Sequence, residues 1–181
     1  MARSPADSDA IARAAARLFV DRGYAATTVR DIAAAADVDP AVVIRRFGSK
    51  EALFLRTMES EELARAWRAT LDGPLDTFGE RCAAALLDSR QDTQGVFLAL
   101  LRASDAEGIG SRLRDAHEER FVAPLRERLG GGDAADLRAR LAAAAAGGLL
   151  YALWAVGDEA LDADRDALVR CYGAVIQAAI A

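Results

Sequence analysis

The sequence predicts an all-α protein, with a three-helix N-terminal unit over residues 1–54 and a larger helical domain over 55–181, about nine helices in all. Three observations lead there. Apolar residues recur at spacings of three and four through most of the chain, and no stretch alternates as a half-buried strand would. The chain is 52% hydrophobic with only four prolines, and its abundant alanine, leucine and arginine are good helix formers. Charge is unevenly divided: residues 1–56 carry 9 Lys+Arg against 7 Asp+Glu, and residues 57–181 carry 14 against 21, within a net charge of -5.

At 181 residues the chain is long enough for one full domain or for a small domain joined to a larger one. Cys82 and Cys171 lie far apart with no Cys-x-x-Cys pairing, which indicates neither a zinc site nor a disulfide framework and fits the cytoplasm. The opening MARSPADSDA carries acidic residues where an export signal needs a basic region and an apolar core. The uncharged run LAAAAAGGLLYALWAV (141–156) falls just short of a membrane span. It is rich in Ala and Gly and bounded by Arg140 and Asp158, so a buried core helix is expected and no membrane. One histidine, no nucleophile beside a base, no paired carboxylates in an apolar setting and no phosphate-binding glycine loop leave nothing to perform catalysis. An enzyme is therefore not expected, nor is a cofactor or metal. The acidic bulk opposes unspecific nucleic-acid binding, while the basic first third permits a confined contact with phosphates.

The first helix is read from DAIARAAARLFVDRGY, where Ile11, Ala14 or Ala15, Leu18 and Phe19 recur at helical spacing and Gly23 stands where a left-handed residue would end it. In TTVRDIAAAADV, Thr28 is an N-cap with Asp31 three residues on, a capping-box pattern, and Val29, Ile32, Ala33 and Ala36 form one stripe. Asp37 suits a tight turn because Asp tolerates the left-handed conformation. Asp39 then caps a third helix with Pro40 at its first position, and Val43 and Phe47 face inward. Gly48 and Ser49 end it and start a fourth helix, expected to run unbroken from Lys50 to about Leu71. Further helices are read near 75–88, 92–105, 109–129, 134–157 and 164–180.

Two short helices joined by a tight turn and braced by a longer one form a helix-turn-helix whose second member can enter the major groove. On a wheel anchored by Val43 and Phe47, Ala41 and Arg45 point away from the core, with Val42, Ile44 and Arg46 on the flanks. The Arg45 guanidinium matches the O6 and N7 acceptors of guanine. Arg46 and Lys50, the only lysine in the chain, are placed for backbone phosphate. Val42 and Ile44 cannot hydrogen-bond but can touch a thymine methyl. Pro40 completes this set of candidate DNA contacts.

The stretch TTVRDIAAAADVDPAVVIRRFGSKEALF, preceded by LFVDRGYAATT, closely resembles the DNA-binding signature of the tetracycline-repressor (TetR) family, over roughly residues 9 to 54. The resemblance implies a homodimeric, all-helical transcriptional regulator, usually a repressor, that binds a palindromic operator and leaves it when a small molecule binds the C-terminal domain. It further implies that Thr28 caps and contacts phosphate, that Arg30 falls where some members read a base, and that Lys50 contacts phosphate. This sequence departs from the pattern at Ile44, where tyrosine is usual, at Arg46, where histidine or tyrosine is common, and at Asp37, where glycine is common.

Residues 55–181 resemble the family's regulatory domain, less specifically. The small-residue run 142–148 and the pattern Leu168, Val169, Tyr172, Val175, Ile176 are expected to pair across a two-fold axis through the last two helices, though part of that surface also serves an intramolecular core. Trp67, Phe78, Phe97 and Phe121 fall one on each of the four helices that line the family's ligand cavity. With Leu101, Arg102 and His117 they are expected to line a pocket for an apolar or aromatic effector. The alternative reading is a dimeric helical ligand-binding or interaction protein that keeps the fold and has lost DNA binding.

Overall fold

The computed structural model describes the backbone of residues 5–59 and 61–181, and the side chains of all of these except 5–7, 61–63 and 90–92. Among the described residues there are helices and no strands. In order they are α1 (Pro5–Arg22), α2 (Val29–Ala35), α3 (Pro40–Phe47), α4 (Lys50–Thr57), α5 (Glu61–Asp72), α6 (Phe78–Asp88), α7 (Arg90–Ala103), α8 (Ile109–His117), α9 (Ala123–Arg128), α10 (Gly132–Leu150) and α11 (Arg165–Ile180). A 3-10 turn, Leu75–Thr77, precedes α6, and π-helical turns at Glu118–Val122 and Tyr151–Val156 follow α8 and α10. The chain divides into two compact units. One gathers the residues up to Glu59 with Gly95–Leu113; the other gathers Ser60–Gln94 with Arg114–Ala181.

In the first unit the local sequence signals act as expected. Gly23, at φ 81°, ends α1 with its N–H on the Phe19 carbonyl at 3.0 Å. Thr28 and Asp31 form the reciprocal capping box of α2. Asp37 takes the left-handed conformation, φ 53°. Its N–H reaches the Ala34 carbonyl, while the Val38 N–H reaches Ala33 at 3.0 Å. This is the paired closure that ends a helix without orphaned carbonyls. Asp39 accepts from the Ala41 N–H at 2.7 Å, fixing the first turn of α3, and Ser49 accepts from Ala52 at the start of α4.

Phe19, Tyr24 and Phe54 stack at the centre of this unit, with Phe19 edge-on to Phe54 at 5.0 Å. Around them lie Ile11, Leu18, Ile32, Val43, Leu53 and Met58, together with Ala99, Ala103 and Ile109 from the later segment. A fully buried Phe of this kind contributes about 1.5–3 kcal/mol through area alone. The approach of α7 to α1 is close: a Cβ on Gly95 would lie 2.9 Å from a Val20 methyl.

One element departs from expectation. The helix begun at Lys50 does not run to Leu71; it stops at Thr57. The Thr57 hydroxyl and the Met58 N–H both turn onto the Phe54 carbonyl, each at 3.0 Å, and Met58 is buried in the core. The acidic run Glu59-Ser60-Glu61-Glu62 suits the start of a new helix better than the middle of one, and α5 begins within it. Residue 60 itself lies outside the described residues.

In the second unit α6 crosses α11 backbone to backbone. A Cβ on Gly79 would sit 2.0 Å from the Gly173 carbonyl oxygen, and one on Gly173 would sit 2.7 Å from the Glu80 Cα. Gln177 secures the crossing, accepting from the Gly79 N–H and donating to the Leu75 carbonyl, both at 2.9 Å. The α10 helix packs on α11, where the Tyr172 hydroxyl donates to the Ala145 carbonyl at 2.9 Å. Arg126 and Arg140 each pair with both Glu118 and Asp136, joining the π turn, α9 and α10 in one ring of four charges. The stretch Gly132–Val156 is long and apolar enough by length and composition to cross a membrane. Its buried residues Ala135, Ala139, Ala142, Leu149 and Leu153 nevertheless form a core face inside this unit.

Candidate functional site

The reading face is assembled by α2 and α3 and held by their caps. Arg45, Ala41 and Pro40 are exposed, as is Arg30 on α2. Val43 is fully buried beneath them, so the orientation of α3 is fixed by its core side. Ile44 is 44% exposed, a solvent-facing β-branched side chain with no core to fill. Val42, expected like Ile44 on a flank of the exposed face, is half-buried and packs against the core. Phe47 packs on the core as expected, and the Arg56 guanidinium covers its ring at 5.6 Å.

Three expected phosphate contacts have intramolecular partners here. The Thr28 hydroxyl donates to the Asp31 carboxylate at 2.6 Å and accepts from the Asp31 N–H, and that hydroxyl together with the Thr28 N–H, which donates to the same carboxylate at 2.8 Å, holds the Asp31 carboxyl below its ordinary range. Arg46 donates to the Ser8 hydroxyl at 2.9 Å, which leans it toward the start of α1. The Lys50 ammonium donates to the carbonyls of Tyr24 and Thr27, both at 3.0 Å.

Of the seven residues expected to meet an effector, Trp67, Phe78, His117 and Phe121 lie in one unit and Phe97, Leu101 and Arg102 in the other. The first four touch in sequence. Trp67 packs edge-on against Phe78 at 5.9 Å and Phe121 at 5.6 Å, and His117 lies 5.8 Å from Phe121. Burial against this cluster lowers the His117 pKa, and Arg140 acts in the same direction while Glu118 opposes it. The imidazole is thus neutral near pH 7. The Trp67 Nε1 is buried and has no hydrogen-bond partner. Leu101 and Arg102 are exposed and Phe97 is half-buried.

A groove of about 390 Å³ does exist in the second unit, between α5 and α6, lined by Ala66, Ala69, Thr70, Arg81, Ala84, Ala85, Asp88 and Ser89. None of the expected residues lines it. Its polar groups are already bound: Arg81 to the carbonyls of Thr70 and Pro74, Thr70 to Ala66, Ser89 to Leu86, and Asp88 to Arg165.

The last two helices leave apolar surface uncovered. On α10 and the π turn after it, Leu137, Leu141, Ala144, Gly148, Tyr151 and Ala155 are all exposed. They follow one another at steps of four and three, which puts them on one face. Leu137 is 59% exposed, Leu141 50%, Tyr151 52%, and Val175 on α11 53%. Leu168 and Ile176, expected on the same surface, are buried inside the unit instead.

Residues 11–57 match the family described as bacterial regulatory proteins, tetR family, and residues 76–180 match the tetracyclin repressor-like C-terminal domain. The chain belongs to the TetR family. It is 33% identical over 123 residues to the HTH-type transcriptional repressor Rv3405c of Mycobacterium tuberculosis, a match covering 60% of this chain and 65% of that protein. The chain therefore spans just under two thirds of the length of this curated relative. A TetR-family regulator of Streptomyces coelicolor, SCO0857, is similar over 99% of both chains, at 32% identity and a TM-score of 0.69. SmeT in complex with triclosan shares the fold at 19% identity and a TM-score of 0.72, covering 96% of this chain and 91% of that one.

Within this TetR-family chain, the sequence reading missed the group that holds the reading head together. Tyr24, Thr27 and Glu51 surround Lys50, and the Tyr24 hydroxyl donates to the Glu51 carboxylate at 2.8 Å. A signal was present: a lysine at the first position of a helix opposes the helix dipole, so its ammonium has reason to turn back toward carbonyls.

Proposed function

We propose that the protein is a homodimeric transcriptional repressor that acts in the cytoplasm, binds a palindromic operator and is released from it by an apolar or aromatic effector. One observation carries the reading: α3 is capped at both ends, anchored by Val43, and presents Arg45 outward from the N-terminal segment 1–56, where 9 Lys+Arg stand against 7 Asp+Glu. A guanidinium held that way can read a guanine edge bidentately. Thr28, Arg30, Pro40, Ala41, Ile44 and Arg46 are assigned beside it on the DNA side. The exposed stripe of α10, with Val175 of α11, supports assembly through the last two helices, since a two-fold mate would remove this apolar surface from water. Two reading heads would then meet half-sites about 34–36 Å apart or at a multiple of that spacing.

The effector site is assigned to Trp67, Phe78, His117 and Phe121. A buried indole N–H without an acceptor costs about 1–3 kcal/mol, and a ligand acceptor set against the aromatic cluster would recover that. The reading is thus of a flat apolar molecule carrying one acceptor oxygen or nitrogen. The test has two parts. Full-length protein is incubated with fragments of its own genome, bound fragments are sequenced, and the enriched duplex is measured by fluorescence anisotropy; enrichment of no sequence over random DNA sinks the regulator. Calorimetry with fluorene and 9-fluorenone, which differ by a carbonyl acceptor, should favour the ketone in the native protein and show no preference in Trp67→Phe. Equal preference in both proteins sinks the acceptor assignment alone.

A further inference from the structure

The leading half of α3 carries one polar side chain. From Val38 to Ile44 the sequence runs Val-Asp-Pro-Ala-Val-Val-Ile, so Asp39 alone can hydrogen-bond through its side chain before Arg45 is reached. Asp39 is exposed, as are Pro40 and Ala41 beside it, both short and apolar. The cap fixes where the carboxylate stands: Oδ1 accepts from the Ala41 N–H at 2.7 Å, on a backbone at φ -70° and ψ 139°. Among the described residues no partner holds Oδ2. The backbone donors of this end are used as well. Pro40 has no N–H, the Ala41 N–H is taken by the carboxylate, and the Val42 N–H reaches the Asp39 carbonyl at 2.8 Å.

A carboxylate in this place opposes DNA binding unless it meets a donor. A duplex carries about one phosphate charge per 1.7 Å of its axis, and a helix end whose first N–H groups are engaged and whose cap is negative repels phosphate. In a helix-turn-helix the N-terminal residues of the second helix face base edges, and the major-groove donors there are the amino groups of cytosine and adenine. Adenine sets its N7 acceptor beside the amino group, where it repels the lone pairs of a carboxylate; cytosine has a C–H at that place. Resting on the DNA-binding reading above, we propose that Asp39 is a specificity-determining residue, whose Oδ2 accepts from the N4 amino group of one cytosine in each half-site while Oδ1 holds the cap. Guanine or thymine at that position turns an acceptor oxygen toward the carboxylate, so Asp39 selects by repulsion as well as by attraction.

The enriched duplex is remade with N4-methylcytosine at one cytosine at a time. That base keeps its pair with guanine and puts a methyl where the groove-facing amino hydrogen stood. At one position the change should weaken binding of the native protein roughly tenfold, the scale of one hydrogen bond to a charged group. The same change should be indifferent to Asp39→Ser, which keeps a capping oxygen and lacks the second one. Asp39→Asn keeps the cap and turns the free oxygen into an amide donor, so at that position it should bind guanine or thymine in preference to cytosine. Ser and Asn cap helices about as well as Asp, and circular dichroism should show both variants folded; should one fail, the other decides alone. No sensitive cytosine in the native protein, an equal loss in the native protein and Asp39→Ser, or a preference for cytosine retained by Asp39→Asn overturns the proposal and leaves the regulator standing. If the native protein enriches no duplex, the regulator reading fails first, before any variant is made, and this proposal falls with it.

Discussion

Gly79→Ala tests the crossing on which the second unit is built. The added methyl would stand 2.0 Å from the Gly173 carbonyl oxygen and 2.7 Å from the Gln177 nitrogen. Both are backbone atoms of α11, so no side chain can rotate away and the helices must separate by an ångström or more. Overpacking of this kind costs about 1–3 kcal/mol. Separation also stretches the two 2.9 Å hydrogen bonds of Gln177, each contributing about 0.5–1.5 kcal/mol. Against this, alanine is favoured over glycine in a helix by about 1 kcal/mol, which leaves a net loss of about 2–4 kcal/mol. For a unit of this size that lowers the melting temperature by roughly 10–20 °C, read by circular dichroism or calorimetry. Gly147→Ala is the control, because a Cβ there meets nothing within 4 Å and should leave the melting temperature level or raise it. A Gly79→Ala protein melting within two or three degrees (about 0.5 kcal/mol) of the native one would refute the backbone-to-backbone account of the crossing.

Three further outcomes are expected. Arg45→Ala should cost about 1–3 kcal/mol on the enriched duplex with little loss on random DNA; equal losses on both would show that Arg45 reads no base. Leu141→Arg places a charge in the exposed stripe without disturbing a buried contact, so it should shift the protein to monomer in light-scattering chromatography and weaken binding to a two-half-site duplex, and an unchanged mass would exclude this face as the interface. Asp31 and Glu51 have carboxyl pKa values lowered by their hydrogen bonds from ordinary values of 3.8 and 4.5, so the native state binds protons less readily than the unfolded chain. The stability they supply is complete above about pH 5 and is lost as pH falls through the folded-state values; Asp31→Asn should flatten that decline in urea midpoints measured between neutral and acid pH.

The reading head was legible because its signals are local. Thr28 with Asp31, the left-handed Asp37, Asp39 before Pro40, and Gly48 before Ser49 each fix a turn through atoms within four residues of one another, so spacing alone finds them. What stayed hidden depends on residues far apart in the chain. Val42 and Ile44 lie on opposite flanks of a wheel anchored by Val43, and only the packing of neighbouring helices decides that Val42 is half-buried while Ile44 is exposed. Gly79 and Gly173 are two glycines among fourteen, and nothing in sequence pairs them. In α11 the apolar pattern from Leu168 to Ile176 marks surface to be covered without saying whether α6 or a second copy of the chain covers it; the structure assigns Leu168 and Ile176 inward and leaves Val175 out.

For the effector and DNA sites proposed above, the end of α4 at Thr57 alters the connection that an unbroken helix would make. An unbroken helix from Lys50 to Leu71 would have carried a displacement at Trp67 to the reading head as a rod does. A helix that stops at Thr57, with the Thr57 hydroxyl and the Met58 N–H sharing the Phe54 carbonyl, is not such a rod. The chain passes between the two units at two other places, within α7 at residues 94–95 and within α8 at residues 113–114. Both are helical. The stretch from Ile109 to Arg128 bears Ile109, fully buried in the core beneath the reading head, and Phe121, which touches Trp67. It is interrupted only by the π-helical turn at Glu118–Val122, a feature that is rare and frequent at functional sites. Any effector that binds one arrangement of Trp67 and Phe121 more tightly than another acts through that differential affinity, and the stretch carrying Phe121 also carries a residue of the reading-head core.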